Sequence, residues 1–296
     1  MDPEDVGDDM PALHGAVRFA PFSTVRELIR ESSDIDTVWW GRTALWEAVQ
    51  ERRDDVALAL VQAGADPWRS MIAGWSPGRL NLAGPAPDLF GAPPVGVALS
   101  SQEQAAVDER RRLIGALGTS DPNGQSFACI ADVDVTEAGR RLGATPIDDV
   151  DTELLLSEPW ETGLDDDELN VIVGVSDVPG GCIVGQWWMF APSAPGVMAK
   201  LTPGTIGYGI YGNPKSGNQG RSFRDGVMVD WDQHPGGGDA APDDSPEETL
   251  RTYLYRKHAV AYCCNYAGLR PQDPRAFTGP PDRWLRLPPL DLWPAG

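Results

Sequence analysis

Apolar residues between positions 12 and 67 recur at helical spacing in four short blocks. Leu13, Ala16 and Val17 form the first, and Val25, Leu28 and Ile29 the second. Leu45, Ala48 and Val49 form the third, and Val56, Ala59, Leu60 and Ala63 the fourth. This period predicts four short helices, each with one apolar stripe. The blocks also repeat as pairs. Leu13 and Leu45, Ala16 and Ala48, Leu28 and Leu60, and Ile29 and Val61 each stand 32 residues apart. Small Ala44 and Ala48 let two helices lie close together. A two-helix unit of this size cannot bury its own apolar face, so it stacks on neighbours. A third unit opens at Gly74-Trp75-Ser76-Pro77, with a helix expected from Pro77 to Ala83; Pro85, Pro87, Pro93 and Pro94 then stop it.

After this proline-rich link, Ser101 to Leu117 carries a helical stripe of Ala105, Ala106, Leu113, Ile114 and Leu117. Gly118 to Gln125 reads as a break. The pattern beyond it is that of strands. Runs at 127–131, 171–175, 182–190, 197–201, 205–211 and 227–231 are separated by glycine and proline turns, which favours an antiparallel sheet. Gly207, Gly209 and Gly212 leave one strand face nearly bare, open to another backbone, a helix or a ligand. Two helices are expected among the strands. One runs from Thr136 to a stop at Gly143. The other starts at Ser245-Pro246-x-Glu248, a capping box, and runs to Ala267 with His258 on its face. Residues 271–296 read as an extended arm. The expected organisation is an acidic disordered tip (1–11), helical repeats (12–84), a connection with a docking helix (85–125) and an α+β domain (126–296).

Gly41-Arg42-Thr43-Ala44-Leu45 and Ala63-Gly64-Ala65-Asp66-Pro67 resemble the two signature stretches of the ankyrin repeat family. That resemblance implies a hairpin loop, two antiparallel helices and stacking into a curved slab, and it implies protein–protein interaction as the function. Trp46 stands where that family often has histidine, and His14 fills the matching place one unit earlier as a turn-stabilising side chain. Ala138-Gly139-Arg140-Arg141-Leu142-Gly143-Ala144, the Trp187-Trp188 pair and Arg224-Asp225-Gly226 resemble a family of uncharacterised actinobacterial α+β domains, which brings no activity with it. The fold class expected is thus multidomain: an all-α ankyrin-like stack followed by an α+β domain with a mainly antiparallel sheet.

Charge narrows the partners. The net charge of -20 over 296 residues repels phosphate backbones and anionic membrane surfaces, so neither nucleic acid nor membrane is expected as a partner. Another protein is. The acidic start MDPEDVGDDM has no basic region followed by an apolar one, which points to a cytoplasmic location. Cys129, Cys182, Cys263 and Cys264 match no zinc or disulfide spacing and read as buried free thiols.

Candidate chemistry is sparse. Three histidines lie in unlike contexts, so no Ser-His-Asp or Cys-His pair can be placed. Asp230, Asp232 and His234 make an incomplete metal set, and Asp165-Asp166-Asp167-Glu168 lacks the ligand spacing of a calcium loop, so no metal and no cofactor is expected. Arg110, Arg111 and Arg112 are expected to meet carboxylates of the same chain. Two features stand out as sites. Trp39 and Trp40 sit just before the repeat turn, where fingers of such a stack project. Lys215, Arg221 and Arg224 lie in a glycine-rich stretch, 213–226, free of acids until Asp225. Either a hairpin tied down by its own polar residues, or the loop of a small-anion-binding protein or an enzyme, would use them.

Overall fold

The computed structural model describes residues 10–119, 122–232 and 235–294. A helical region is followed by a mixed region with an eight-stranded antiparallel sheet. The chain forms two compact units: one holds the described residues up to Asp108 together with Asp239–Leu254, the other Glu109–Gly238 together with Tyr255 onward.

The first unit contains α1 (Ala12–Phe19), α2 (Phe22–Glu31), α3 (Ala44–Gln50), α4 (Asp54–Gln62), α5 (Pro77–Leu82) and the start of α6 (Ser101–Leu117). First helices stack on first helices, α1 on α3 and α3 on α5, while α2 packs on α4. The 32-residue step is therefore a packing period. Caps set the starts. Thr43 Oγ1 accepts from the Trp46 N–H at 3.3 Å, and Ser76 Oγ accepts from the Arg79 N–H at 3.1 Å with Pro77 at the first helical position. Leu45, Trp46, Ala48, Val56 and Leu60 are fully buried.

The expectation that 126–296 forms one domain differs from the compact units. Asp239–Leu254, including α11 (Pro246–Leu254), belongs to the helical unit. Polar contacts hold it there. Arg42 donates to the Ala240 carbonyl at 2.9 Å, the Trp75 indole to the Pro246 carbonyl at 3.0 Å, and Arg18 forks onto both Asp239 oxygens at 2.7 and 3.1 Å. The decayed third repeat thus gains a late helix.

In the second unit the strands are β1 (Ser126–Ala131), β2 (Thr145–Ile147), β3 (Ile172–Val178), β4 (Gly181–Gln186), β5 (Ile206–Asn213), β6 (Gly217–Arg224), β7 (Val227–Asp232) and β8 (Arg283–Arg286), in the order β2-β8-β3-β4-β1-β5-β6-β7. Its helices are the rest of α6, α7 (Val135–Leu142), α8 (Thr152–Ser157), α9 (Asp166–Asn170), α10 (Pro195–Leu201), α12 (Ala259–Tyr266) and α13 (Arg275–Thr278). Helices cover both sheet faces. On one, Ala138 and Leu142 of α7 and Val197, Met198 and Leu201 of α10 pack with Ala128, Ile130, Val173, Val184 and Phe223. On the other, Tyr208 meets Tyr262 and Tyr266 of α12, and Phe127 meets Phe277 of α13. The bare glycine face is filled by a helix approach. A Cβ at Gly209 would lie 3.0 Å from Ser193 Cα and 3.2 Å from the Met198 sulfur.

Several elements differ from the sequence expectations. Residues 197–201 form helix α10, not a strand, because Pro195 takes its first position. The strand from 182 ends at Gln186 rather than Phe190. There the Gln186 amide donates to the Ile172 carbonyl at 2.9 Å and its oxygen accepts from the Ala191 N–H at 3.0 Å, which turns the chain out of the sheet. The helix expected from Ser245 to Ala267 is two helices, broken where Lys257 takes φ 65°, and His258 precedes α12 instead of lying on a helix face. The arm at 271–296 contributes α13 and β8, and β8 pairs with β2 and β3 inside the sheet. The 213–226 loop is a hairpin arm, with 217–224 paired as β6.

Candidate interaction surfaces

The repeat finger is built around a two-residue turn. The Trp39 N–H donates to the Arg42 carbonyl at 2.8 Å and the Arg42 N–H returns to the Trp39 carbonyl at 3.0 Å. Trp40 and Gly41 occupy the two central positions at φ 50° and 72°. Positive φ at both centres is the geometry of a type I′ hairpin turn. Gly41 adopts it freely, whereas for tryptophan the left-handed region costs about 1–2 kcal/mol. The Trp40 ring is 49% exposed and meets Trp39 edge-on at 6.2 Å. Trp39 is half-buried against His14, with ring centroids 6.3 Å apart, and its buried indole N–H has no hydrogen-bond partner among the described residues.

Beneath the finger lies a charged cluster. His14 Nε2 bonds the Arg42 carbonyl at 3.1 Å, which ties the first repeat to the turn of the second, as expected of a turn-stabilising histidine. Burial, reinforced by the nearby Arg42 charge, pushes the His14 pKa down against the opposing pull of that hydrogen bond. The Arg42 guanidinium sits 2.9 Å from the Glu47 carboxylate, and Arg18 reaches Glu47, Glu51 and Asp239. This cluster fixes the finger's base.

The three cations of 213–226 are not brought together. Lys215 is exposed in the β5–β6 turn, which Asn213 Oδ1 orders by accepting from the Lys215 and Ser216 N–H groups at 2.8 and 3.3 Å. Arg221 and Arg224 lie on β6 three positions apart, hence on opposite sheet faces. Arg224 is exposed at the strand end, and Arg221 is half-buried. A shallow cavity of about 600 Å³ elsewhere in this unit is lined by Arg112, Gly115, Ala116, Pro179, Arg270 and Gln272. Both of its guanidiniums share the Glu109 carboxylate, Arg112 at 2.7 Å and Arg270 at 2.9 Å, so the cavity carries its own counter-ion.

Other candidates resolve into structure. Asp165 and Glu168 form a reciprocal capping box at the start of α9, so the acidic cluster is a helix start in place of a loop. All four cysteines are buried and none forms a disulfide. The Cys129 thiol is pushed up by its hydrogen bond to Cys264 and by burial, and the Cys182 thiol chiefly by burial; neither has the depressed pKa of a reactive thiolate. His234 lies outside the described residues, and among those described no group of three or more potential ligands could hold a metal. No helix among the described residues is long and apolar enough to cross a membrane.

With this geometry in place, comparison with known proteins gives one assignment. Residues 40–70 match the ankyrin repeat family, in the stretch that holds Trp40, the finger turn, α3 and α4. The match spans one repeat. No curated protein and no solved structure matches the chain.

Proposed function

We propose that the helical unit is a protein-binding module and that the Trp39–Trp40 finger is its contact. Ankyrin-like folds are generally associated with protein–protein interaction, and residues 40–70 carry that repeat. The observation that supports the finger is the conformation of Trp40. An aromatic side chain stands in solvent at a position where glycine or asparagine would be more stable. Stability forgone at one exposed residue is the pattern of a functional position, and tryptophan is a preferred anchor in interfaces. The finger has rigid backing, since Arg42 at its base is pinned by Glu47 and Ala240.

The test separates binding from folding. Trp40→Gly removes the ring and relieves the left-handed strain, so the variant should melt at the parent temperature or slightly above it. Affinity capture from the native host, with parent and variant as baits, should lose its specific partner in the variant. Identical captured proteins from the two baits would refute the finger's role.

A further inference from the structure

On the α+β unit, β7 is an edge strand with an apolar surface: Val227, Met228, Val229 and Trp231 are all exposed. Trp231 is the cross-strand partner of Arg221, so the two side chains share a face. On the other strand neighbour, Arg221 faces Gly209, which has no side chain to cover it. The guanidinium lies 5.1 Å from the ring centre of Trp293, which contacts Phe190 at 6.0 Å, and Phe190 contacts Tyr211 at 6.1 Å. Trp231 and Trp293 are 51% and 53% exposed. The Arg221 cation thus lies over the Trp293 ring, with Trp231 beside it on the same face of the neighbouring strand, and both tryptophans are half in water.

Arg221 has no carboxylate partner among the described residues, and its pKa is lowered by burial alone. Asp230 and Asp291, each next to one of the tryptophans, are bonded to backbone. Asp230 Oδ1 accepts from the Trp231 N–H at 2.8 Å, and Asp291 Oδ1 accepts from the Trp293 N–H at 3.0 Å. Half-buried Arg52 and Arg53 donate to backbone carbonyls, whereas Arg221 has neither a carbonyl nor a carboxylate partner among the described residues. Arg112, Arg141 and Arg275 all sit on carboxylates. Partial burial weakens the hydration of Arg221, and among the described residues the Trp293 ring is what faces its charge, with no anion beside it.

We infer that the Arg221 face docks an acidic, partly apolar peptide segment of another protein, with a carboxylate on the guanidinium and the neighbouring apolar side chain against Trp231 and Trp293. Charge complementarity selects the carboxylate. The exposed indole surface selects a peptide over a free oxyanion, which would cover Arg221 and leave both rings wet. The chain's net charge of -20 repels a polyanion such as nucleic acid far more than a peptide that brings one carboxylate. Tryptophan and arginine clustered at one spot is the composition of a binding hot spot. This surface is separate from the repeat finger.

The experiment is selection of a random-peptide display library on the full chain, followed by fluorescence anisotropy with the best synthetic peptide. Enriched peptides should carry Asp or Glu beside an aliphatic or aromatic residue. Arg221→Met, which keeps the apolar stem, should weaken the peptide by roughly tenfold or more, and raising salt should weaken binding to the parent. Trp231→Ser, at an exposed position, should weaken it without changing the thermal melt, which keeps the test open if Arg221→Met fails to fold. Trp40→Gly should bind like the parent, so loss of the finger's role and loss of this one are distinguishable. Failure to enrich acidic peptides, or equal binding by Arg221→Met, would overturn the inference. So would displacement by single-stranded oligothymidine, or self-association of the chain that Trp231→Ser abolishes.

Discussion

Replacing Glu47 by glutamine removes one negative charge from the cluster beneath the finger without changing shape. The Glu47 side chain is 1% exposed, and its partner Arg42 is 9% exposed at 2.9 Å. Breaking a buried ion pair by removing one partner costs about 3–5 kcal/mol, because the other charge is left buried. Arg42 keeps Asp239 at 3.7 Å and the Ala240 carbonyl at 2.9 Å. Those contacts place the expected cost at the lower end, about 3 kcal/mol, a large part of the roughly 5–15 kcal/mol that holds a domain folded. Glu51→Gln is the control. Glu51 is 11% exposed and stands 3.7 Å from Arg18, beyond hydrogen-bond distance, so its loss should cost clearly less than that of Glu47. Urea unfolding followed by circular dichroism gives the total. Hydrogen exchange at α1 and α3 amides assigns the change to the helical unit. A Glu47→Gln cost below about 0.5 kcal/mol, or equal costs for the two variants, would refute the reasoning that burial sets the value of this pair.

Three further outcomes follow. Trp46→Ala empties a fully buried site and strands the Gln50 oxygen its indole bonds at 2.9 Å, so it should cost about 3–5 kcal/mol, against a much smaller loss for half-buried Trp39→Ala; equal melting midpoints would contradict this. The fragment 1–98 lacks α11 and should show no cooperative melt alone, while a synthetic 239–254 peptide added in trans should promote one; a sharp melt without the peptide would contradict the tether's role. His14 titrates near pH 6.5 when unfolded and lower when folded, so acidification below about 6.5 protonates the unfolded chain first and stability falls until the folded imidazole also titrates. His14→Gln should flatten that part of the stability–pH curve, and an unchanged curve would show that the imidazole does not titrate differently on folding.

The helices of the repeats were legible because their signals are local. The stripe repeats within each helix, Thr43 caps α3, Ser76 caps α5, and Gly64 follows the end of α4. The strands beside glycine and proline turns were equally open to reading. Val197 to Leu201 misled because five residues with an apolar majority fit either period, and the Pro195 at the helix start was the discriminating signal. The break at Lys257 carries no glycine or proline, so the helix read through it. The association of Asp239–Leu254 with the repeats depends on partners such as Arg18 and Arg42, some 200 residues away in sequence, and no local pattern encodes them. For the same reason the basic stretch could be found but not its surroundings. Arg221 was visible as a charge, whereas its pairing with Trp231 depends on strand register and its contact with Trp293 on the path of the closing segment.

The tether has a consequence for synthesis. Residues 12–82 leave the ribosome well before α11, which completes their unit and ends 172 residues after Leu82. At about 5–20 residues per second that interval lasts about 9–34 s, far longer than short helices need to form. During it Trp75 lacks its carbonyl at Pro246, and Arg18 and Arg42 lack Asp239. The repeats are thus expected to become secure only after strands β1 to β7 have been translated, with β8 still to come. Nascent chains stalled before and after Leu254 has emerged should differ in protease resistance of the repeats, and equal resistance would show that the repeats are secure before the tether arrives.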